Sequence, residues 1–529
     1  MVNVCLACRR ANVTRRRCRF GFETFALTVA AIYSFGMYIF HSGVPAETLN
    51  GDDKAKLSRV NVNGYNLAIQ RGDAGRPIRE DDIKTAFDIL QQQAAKMWHL
   101  PRVGLDTDGK RANGTKPRRT KTVRRLNEAD QFVPPDANIH ENCRKYATLA
   151  DKASEYDFVK ISPDAWVYSA YYDSRPNDFD NKHKGNFVRV MSVAQSKELD
   201  EVDCIFTDSD SGMTTVVPAT YYEMCEMFNK TYRGYILSCA VPDVVEEPPC
   251  FVQIAARRSA TASARLRLRM LQKIARQRDF TICVPPLFGA INLRRIVEFM
   301  EVSNVFGAGH VVFYDFNIPE DVRTVLDYYA DERALAEIHR WQLPSDVDSE
   351  IWYHGQLIAI QDCLYRNMAT SRYVVFNDID EFIVPHNHTN WTAMVEHLDR
   401  PDQCAFQFAM ALFDPNRPNS QMSKERVLSL KVLERSWYNT LSTKFMVKPD
   451  WVFEMGIHHV SKPIWAHLVV TVISPDVALL HHYRSCGGPT NMACLMYYKE
   501  ESMLKYKKRI LDAFSSAESD LQGLLTNSS

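Results

Sequence analysis

The chain has no excess of charge of either sign, because 64 Lys and Arg residues balance 64 Asp and Glu residues over 529 positions. A net basic surface is the usual electrostatic sign of bulk nucleic-acid binding. Its absence gives no support to that class, although local basic patches remain possible, and we expect no nucleic-acid partner. With 46% hydrophobic and 24% charged residues, the composition indicates one large or two medium globular domains plus tails.

The amino terminus lacks the short apolar core of a cleaved signal peptide. Its apolar stretch covers residues 20–40, interrupted by Glu23, and is about long enough to span a bilayer. Positive residues stay in the cytosol, and six arginines precede the stretch, at positions 9, 10, 15, 16, 17 and 19. We therefore expect a single-pass type II protein, with a cytosolic tail at 1–19, a transmembrane signal anchor at 20–40 and a luminal remainder. A cleavage site within residues 41–46 is the alternative.

The cysteines and glycosylation sequons agree with a luminal carboxyl-terminal portion. Cys5, Cys8 and Cys18 precede the apolar stretch, and ten cysteines follow it. An even luminal set permits disulfide bonds, with buried thiols as the alternative, because pairing cannot be deduced from spacing. One N-x-S/T sequon, at Asn12, precedes the stretch. Five follow it, as expected for a glycoprotein, at Asn113, Asn229, Asn387, Asn390 and Asn527.

Residues 41–150 lack the apolar periodicity that would order them, apart from an amphipathic piece at 83–100 that is compatible with a helix. We interpret this stretch as a luminal stem. Its basic run at 110–125 favours a solvated, extended linker over an anion-binding site.

Folded material begins near Asp157. Three segments are rich in aromatic and β-branched residues and predict a β-rich part at 151–250, namely 158–161, 165–172 and 187–192. The eight basic residues between positions 255 and 278 favour a solvated helix face or a loop insertion over an anion site.

Strand-like and helix-like segments alternate regularly from Asp279 onward. The first predicted helix is ended by Gly307 and Gly309, and the third covers residues 351–367. The predicted strands are 280–284, 310–316, 335–341 and 373–376. Such alternation predicts an α/β domain at 251–512, with a mostly parallel sheet flanked by helices. A carboxyl-terminal tail follows at 513–529.

Three carboxylates lie just beyond the last of these strands, in the sequence NDIDEF. Ligand sites of α/β sheets lie at the carboxyl ends of their strands. Residues two apart on an extended segment point the same way, so Asp378 and Asp380 are expected to face one cation, with Glu381 directed elsewhere. Mg²⁺ and Mn²⁺ prefer a few carboxylates together with substrate phosphate oxygens. An acidic pair that caps a turn or helix is the alternative.

Six blocks in this part of the chain form an ordered set: CVPPLFG (283–289), EFMEVSNVFGAGHVVFYD (298–315), HGQLIAIQDCLYR (354–366), FNDIDEFIVP (376–385), KFMVKPDWVFEMGIH (444–458) and LLHHYR (479–484). In this set the chain resembles glycosyltransferase family 92, over roughly residues 160–505. The resemblance implies a GT-A-like nucleotide-sugar fold in a type II Golgi membrane enzyme. It also implies inverting galactosyl transfer from UDP-galactose in a β1,4 linkage, with Mn²⁺ or Mg²⁺ as cofactor. The implied acceptor is fucose or galactose on N-glycans of a glycoprotein.

The resemblance also implies roles for individual residues. Asp378 and Asp380 match the family's D-x-D motif and are expected to bind the metal. His482, in the H-Y-R block, is the expected third ligand, with His458 as its rival.

Further roles in donor binding and proton transfer follow with their alternatives. Lys444 and Arg484 are candidates to hold the diphosphate, with a salt bridge as the alternative for each. Asp315 is a candidate uridine contact, or a turn cap. Inverting transfer needs a general base, for which Glu454 and Asp414 are candidates, although the FDPNR context of Asp414 indicates a turn.

Readings from other classes remain open. A haloacid dehalogenase-type phosphatase also has D-x-D after an apolar strand, but it requires Thr or Val at the position of Phe382. A glycosyltransferase that uses another UDP-hexose, or a non-catalytic luminal carbohydrate-binding protein of the same fold, is compatible with the same residues.

Overall fold

The computed structural model describes Leu57–Val62 and Tyr65–Gln70 as backbone, Cys143, and much of residues 157–525. The gaps within the last range are 177–184, 196–197, 208–211, 227, 244, 246, 258–261, 272–277, 418–423 and 487–496. The predicted cytosolic tail, the anchor and the amphipathic piece at 83–100 lie outside the described residues. Within the described part of the chain, no helix has the length and apolar character needed to cross a bilayer.

The predicted stem contains an antiparallel hairpin formed by β1 (Leu57–Val62) and β2 (Tyr65–Gln70). The next nine strands form one sheet, in the order β7-β6-β10-β11-β4-β5-β9-β8, with β3 paired to β4. Their bounds are β3 (Val159–Ser162), β4 (Ala165–Asp173), β5 (Phe187–Gln195), β6 (Val202–Thr207), β7 (Thr214–Pro218), β8 (Thr220–Glu223), β9 (Tyr232–Ala240), β10 (Phe251–Ala256) and β11 (Ser263–Met270).

The boundary of this β-rich part differs from the predicted one at residue 250. Strand β10 pairs with β6, and β11 pairs with β10 and β4, so both belong to the first sheet. The basic region is therefore partly a strand rather than a helix face or loop, because Arg265 and Arg267 alternate with the buried Leu266 and Leu268. Helical and loop interpretations both missed this period of two.

A second nine-stranded sheet has the order β14-β13-β12-β15-β19-β17-β23-β16, with β22 paired to β17. Its strands are β12 (Arg278–Cys283), β13 (His310–Asp315), β14 (Ala336–Arg340), β15 (Ser371–Phe376), β16 (Glu381–Pro385), β17 (Gln403–Leu412), β19 (Asn439–Val447), β22 (Val469–Ile473) and β23 (Ala478–His482). Two small pairs complete the set: β18 (Glu434–Arg435) with β24 (Tyr498–Lys499), and β20 (Val452–Met455) with β21 (Val460–Pro463).

Among the described residues, the second sheet has five parallel and three antiparallel strand pairs, so the predicted parallel character holds for most of its pairs but not for all of them. Strands β12 to β15 pair in parallel, as the alternating pattern predicts, whereas β19 is antiparallel to both β15 and β17 and β16 is antiparallel to β23. The alternation of strands and helices ends after β15, so the sequence pattern describes only the first half of the sheet.

Eight α-helices are described. They are α1 (Leu293–Phe306), α2 (Glu320–Asp327), α3 (Ser345–Ser349), α4 (Gln356–Arg366), α5 (Trp391–Leu398), α6 (Leu428–Lys431), α7 (Lys507–Asp520) and α8 (Gln522–Leu525). Gly307 ends α1 as predicted, because its φ of 110° lets its N–H reach the carbonyls of Ser303 and Asn304. Part of the predicted tail belongs to the core, since Phe514 and Ala517 of α7 are buried in the same apolar cluster as α1.

Both faces of the second sheet are covered. Tyr373 and Val375 of β15 lie in the apolar cluster with α1 and α7, while Val374 and Phe376 lie in the cluster with α4 and the first sheet. Successive residues of a strand point to opposite faces, and this explains why residues 373–376, just before the acidic residues, are all apolar.

A buried charged cluster joins the two sheets. The carboxylate of Asp362, on α4, accepts hydrogen bonds from Ser169 and from the Tyr171 hydroxyl (2.5 Å) on β4, and from the Tyr314 hydroxyl (2.6 Å) on β13. Arg366 pairs with the same carboxylate at 3.0 Å. Burial opposes ionisation, yet Arg366 holds the pKa of Asp362 below its ordinary value. The interface between the two sheets therefore contains a buried ion pair, Asp362 with Arg366.

Disulfides are present, as the even cysteine count permits. Cys143–Cys250 and Cys204–Cys239 hold the first sheet, and Cys283–Cys363 joins β12 to α4. Cys486 is also disulfide-bonded. Cys404 is a buried thiol in β17.

Candidate functional site

The acidic residues form a tight turn at the carboxyl end of β15. The Glu381 N–H donates to the Asp378 carbonyl (3.1 Å), and the Asp378 N–H donates to Glu381 Oε2 (3.0 Å). The segment is thus a turn rather than an extended strand, and Glu381 faces its neighbours instead of pointing elsewhere. The side chains of Asp378 and Asp380 remain 37% and 35% exposed.

Lys444 supplies a buried counter-charge from the neighbouring strand β19. Its Nζ lies 2.9 Å from Asp378 Oδ2 and 3.2 Å from Glu381 Oε2. Burial disfavours the ammonium ion, but the two carboxylates raise the pKa of Lys444 above its ordinary value. Burial likewise opposes ionisation of Asp378, yet Lys444 lowers the pKa of that carboxyl. For Glu381 burial prevails and raises the pKa.

His482 reaches the turn from β23, where it pairs in register with Glu381. Its Nε2 lies 3.3 Å from Asp380 Oδ2, and its Nδ1 lies 3.4 Å from Glu381 Oε1. Burial acts against the imidazolium, but the carboxylates of Glu381 and Asp380 raise the pKa of His482. The predicted metal ligand His482 therefore lies beside the acidic turn because β23 pairs with β16, although about a hundred residues separate the two in sequence.

The rival histidine lies near the same turn. His458 is in the connection between β20 and β21, and its Nδ1 is 3.0 Å from the Thr443 carbonyl. Burial and the Lys444 ammonium lower its pKa to about 4. The Asp378 carboxylate acts weakly in the opposite direction, and His482 weakly in the same direction. Its imidazole is therefore neutral near pH 7, as a metal ligand must be.

The other residues predicted to bind the sugar-nucleotide donor lie in different surroundings. Asp315, at the end of β13, accepts hydrogen bonds from the Ile318 N–H (3.0 Å) and from Arg323 (3.1 Å), the contacts of a turn cap. Arg484 is exposed just beyond β23. Lys444 is occupied by two carboxylates, the salt-bridge alternative named for it.

The two candidate bases have unequal positions. Glu454, on β20, is fully buried, and it accepts hydrogen bonds from the Tyr222 hydroxyl (2.6 Å) and the Cys225 N–H (2.7 Å) of the first sheet region. The structure does not bring it to the acidic turn. Asp414 follows β17, which runs parallel to β23 with Leu412 opposite His482. Its oxygens accept from the Asn416 N–H (2.8 Å) and the Cys486 N–H (3.0 Å), so it forms the turn that FDPNR indicates.

Comparison with known proteins gives a coherent set of matches. The family model described as "Glycosyltransferase family 92" matches residues 278–514, which contain the whole site. A Caenorhabditis elegans beta-1,4-galactosyltransferase, galt-1, is 26% identical over 424 residues, covering 77% of this chain and 93% of that protein. The chain carries a glycosyltransferase family 92 domain.

Shorter matches point the same way. An Arabidopsis thaliana galactan beta-1,4-galactosyltransferase, GALS2, is 25% identical over 187 residues, covering 34% of this chain and 36% of that protein. A second Caenorhabditis elegans protein, described as a glycosyltransferase family 92 protein, is 26% identical over 125 residues, covering 22% and 25%. The matches support a transferase of the galactosyltransferase type, with a sugar donor and a glycan acceptor.

The family 92 domain has a strained aromatic turn beside the acids that the sequence patterns did not reveal. Tyr353 and His354 adopt φ values of 43° and 54°, so α4 starts at Gln356 and not at residue 351 as predicted. Tyr353 is 50% exposed and contacts the exposed ring of Phe288 (centroids 5.6 Å apart). Burial and the nearby Asp378 carboxylate raise the pKa of Tyr353. Strained residues of this kind cluster at functional sites. In the sequence, the HGQ that begins the third matching block was the available sign of this turn.

The potential metal ligands of the family 92 domain fit a divalent cation. Two part-exposed carboxylates, Asp378 and Asp380, stand next to an imidazole nitrogen of His482, and oxygen ligands with a histidine suit Mn²⁺. These three residues would hold the ion, and Lys444 would neutralise the part of the cluster formed by Asp378 and Glu381.

Proposed function

We propose that this protein is an inverting, metal-dependent β1,4-galactosyltransferase of GT-A-like fold, transferring galactose from UDP-galactose to a fucose or galactose residue of an N-glycan. The observation that carries the proposal is the convergence of Asp378, Asp380 and His482 at one edge of the sheet, inside the family 92 domain. Two relatives are named as beta-1,4-galactosyltransferases, which supports galactose as the transferred sugar and the β1,4 linkage.

Each part of the site has an assigned task in this proposal. Asp378, Asp380 and His482 hold Mn²⁺ or Mg²⁺, which would supply Lewis-acid stabilisation of the diphosphate leaving group. Arg484, exposed at the same edge, approaches the diphosphate from the solvent side. The Tyr353 ring, beside the two aspartates, borders the donor and excludes water from it.

Asp414 is the candidate for the general base. Of the two predicted candidates it is the one at the carboxyl edge of the second sheet, where β17 ends beside β23. There it would take the proton of the acceptor hydroxyl while UDP leaves from the opposite face of the sugar. Glu454 is completely buried in the β20–β21 pair, against Tyr222 and Cys225, and does not lie at that edge.

The test is galactosyl transfer by the full-length protein with UDP-galactose, UDP-glucose or GDP-mannose as donor and an N-glycan bearing fucose or galactose as acceptor. We expect product only with UDP-galactose, lost on chelation and restored by Mn²⁺, with a β1,4 linkage by NMR. Equal transfer from UDP-glucose would remove the galactose assignment. Glycan binding without turnover of any donor would favour a non-catalytic carbohydrate-binding protein.

We also propose a Golgi membrane location with the catalytic domain in the lumen, on the basis of the arginine cluster before residues 20–40. Protease added to intact microsomes should spare the chain beyond about residue 50, because this part follows the predicted anchor and would lie in the lumen. Digestion of that large fragment would reverse the orientation.

A further inference from the structure

A second cluster of potential ligands lies behind the acidic site. One side-chain ligand atom each from His386, His481 and Glu500 lies within 4.8 Å of the other two. His386 follows β16, His481 is on β23, and Glu500 follows β24. Because the three positions are far apart in sequence, no motif indicates them.

The cluster and the acidic site occupy opposite faces of one strand. His481 and His482 are consecutive on β23, so their side chains point to opposite sides. In the pairing with β16, His482 is opposite Glu381 and His481 is opposite Phe382. The cluster is thus separate from the donor site, and the inference does not depend on the proposed function.

Hydrogen bonding fixes which nitrogen of His481 is available. Both contacts of the Tyr483 hydroxyl are hydrogen bonds when it donates to the Ser429 carbonyl (3.3 Å) and accepts from His481 Nδ1 (3.2 Å). His481 is therefore protonated on Nδ1 and carries a lone pair on Nε2. Such a second hydrogen bond is the usual device that orients a metal-binding histidine.

The nitrogen with the lone pair has no hydrogen-bond partner among the described residues, although His481 is completely buried. The Nε2 atom of His386 is also buried and has no hydrogen-bond partner among the described residues, although the His386 side chain as a whole is only partly buried. A buried polar atom without a partner is costly. The carboxylate of Glu500 places Oε1 4.0 Å from His386 Nε2, which completes a set of two imidazoles and one carboxylate.

We propose that His386, His481 and Glu500 bind a divalent transition-metal ion, zinc, as a structural site. Two neutral imidazoles and a carboxylate, with water in a fourth position, are a zinc ligand set and suit Mg²⁺ or Ca²⁺ poorly. Zinc–ligand bonds of about 2.0–2.2 Å place tetrahedral ligands roughly 3.3 Å apart, so a small closing movement of the side chains forms the site. The ion would fasten the segments after β16 and β24 to the strand that carries His482.

Nearby positive charges determine how tightly zinc is expected to bind. Arg435 donates to the other carboxylate oxygen of Glu500, Oε2, at 3.3 Å. Lys505 is directed to the backbone, where it donates to the carbonyls of Pro385, His386 and His388 at 2.8–3.0 Å. One carboxylate shared with a guanidinium neutralises zinc only partly, so we expect weaker binding than at a site made of thiolates.

The test uses the full-length protein with Asp378→Asn and Asp380→Asn, which removes the acidic site, after treatment with a chelator. Zn²⁺, Co²⁺, Mn²⁺ or Ca²⁺ is added alone, and bound metal and the thermal midpoint are measured. We expect one zinc per chain, a higher midpoint with Zn²⁺ and Co²⁺, and visible Co²⁺ bands of a low-coordinate site. No shift with Zn²⁺, or equal shifts with all four ions, would overturn the proposal.

Single variants decide whether these residues are the ligands. His386→Gln changes a half-buried side chain and should weaken zinc binding by about 100-fold or more, since even supporting residues around a metal contribute 10- to 100-fold. His397→Gln, an exposed histidine on α5, is the matched control and should bind zinc normally. The same pair of variants in the otherwise unmodified protein should differ by one bound zinc. Equal zinc affinity in both variants would contradict the assignment.

Discussion

Asp378, Asp380 and Glu381 are close neighbours in sequence, but each has a different environment. Asp378 is paired with Lys444, Asp380 faces His482 and solvent, and Glu381 is enclosed between Lys444 and His482. Substitutions at the three positions should therefore separate catalysis from folding. Asp380 is the position at which the charge can be removed with the least effect on packing.

Asp380→Asn should lower galactosyl transfer by about 100-fold or more, because a misplaced cation stabilises the departing diphosphate less, by several kcal/mol. Folding should survive, since the side chain is 35% exposed. Transfer rate and melting temperature are the measurements. Asp512→Asn, an exposed aspartate on α7, is the control and should change neither. A well-folded Asp380→Asn variant with near-normal transfer would sink the metal-site assignment.

Lys444→Gln should destabilise the protein by about 3 kcal/mol or more, because it leaves the buried Glu381 and its neighbour Asp378 without their counter-charge. Added Mn²⁺ should recover part of this loss by supplying positive charge to the same carboxylates. Denaturant unfolding with and without Mn²⁺ measures both effects. Lys508→Gln, which breaks an exposed pair with Asp512, should have no effect. Identical Mn²⁺ responses of the variant and the unmodified protein would contradict this account.

The acidic motif was predictable at this scale and its partners were only partly so. Asp378 and Asp380 stand out because charged residues follow an apolar strand. Glu381 was named with them, but its side chain was predicted to point elsewhere, because the prediction assumed an extended backbone where the chain makes a turn. Whether Lys444 binds carboxylates or a diphosphate, and whether Asp315 caps a turn, depends on distances that a sequence does not contain.

At the level of elements, the connection between β20 and β21 positions His458 beside the acidic turn. It is closely packed at Gly456, where an added Cβ would lie 2.8 Å from both Glu226 Oε2 and Ser461 Oγ. The Ile457 N–H donates to Glu226 Oε2 at 2.6 Å, which ties the connection to the first sheet region. The geometry of His458 therefore depends on a residue more than two hundred positions away.

Gly456→Ala should destabilise the protein by about 1–3 kcal/mol through overpacking, and it should lower transfer by displacing His458. Thermal midpoint and transfer rate are measured together. Gly523→Ala is the matched control, because a Cβ at that position of α8 meets nothing within 4 Å. It should be neutral or slightly stabilising. Equal effects of the two substitutions would argue against close packing at Gly456.

The start of α4 shows what sequence patterns fail to predict at the level of elements. The apolar spacing from Ile351 predicts a continuous helix, but Tyr353, His354 and Gly355 all have positive φ. Periodicity reports which side chains are apolar and does not report backbone angles. The aromatic turn beside the acids was therefore hidden inside a predicted helix.

At the scale of the whole molecule, the two sheets are held together by buried ionisable groups. Asp362 joins β4 to β13 and α4, and Glu226 joins the β8–β9 connection to the His458 segment. Burial raises the pKa of Glu226 from its ordinary 4.5 to about 7, with the Ile457 N–H acting in the opposite direction. His459, 3.5 Å from Glu226 Oε1, has its pKa lowered by burial to about 4 and is neutral near pH 7.

Because folding raises this pKa, the stability due to protonated Glu226 is present below pH 4.5 and is lost as the pH rises through about 7. One proton changes the free energy of unfolding by up to about 1.4 kcal/mol per pH unit in that window. Glu226→Gln should remove this part of the decline. Urea unfolding across the window measures it, and parallel profiles for the variant and the unmodified protein would contradict the prediction.

Local patterns in the sequence determined the α/β character from residue 279, the end of α1 at Gly307 and the acidic motif after β15. These features depend on neighbours along the chain, so apolar spacing and single residues report them. Tertiary structure alone decided that β10 and β11 belong to the first sheet, that Glu454 is buried against Tyr222 and Cys225, and that Lys444 pairs with carboxylates. It also brought His386, His481 and Glu500 together. Each of these depends on contacts between residues far apart in sequence, which form only when the two sheets pack and their strands pair in register.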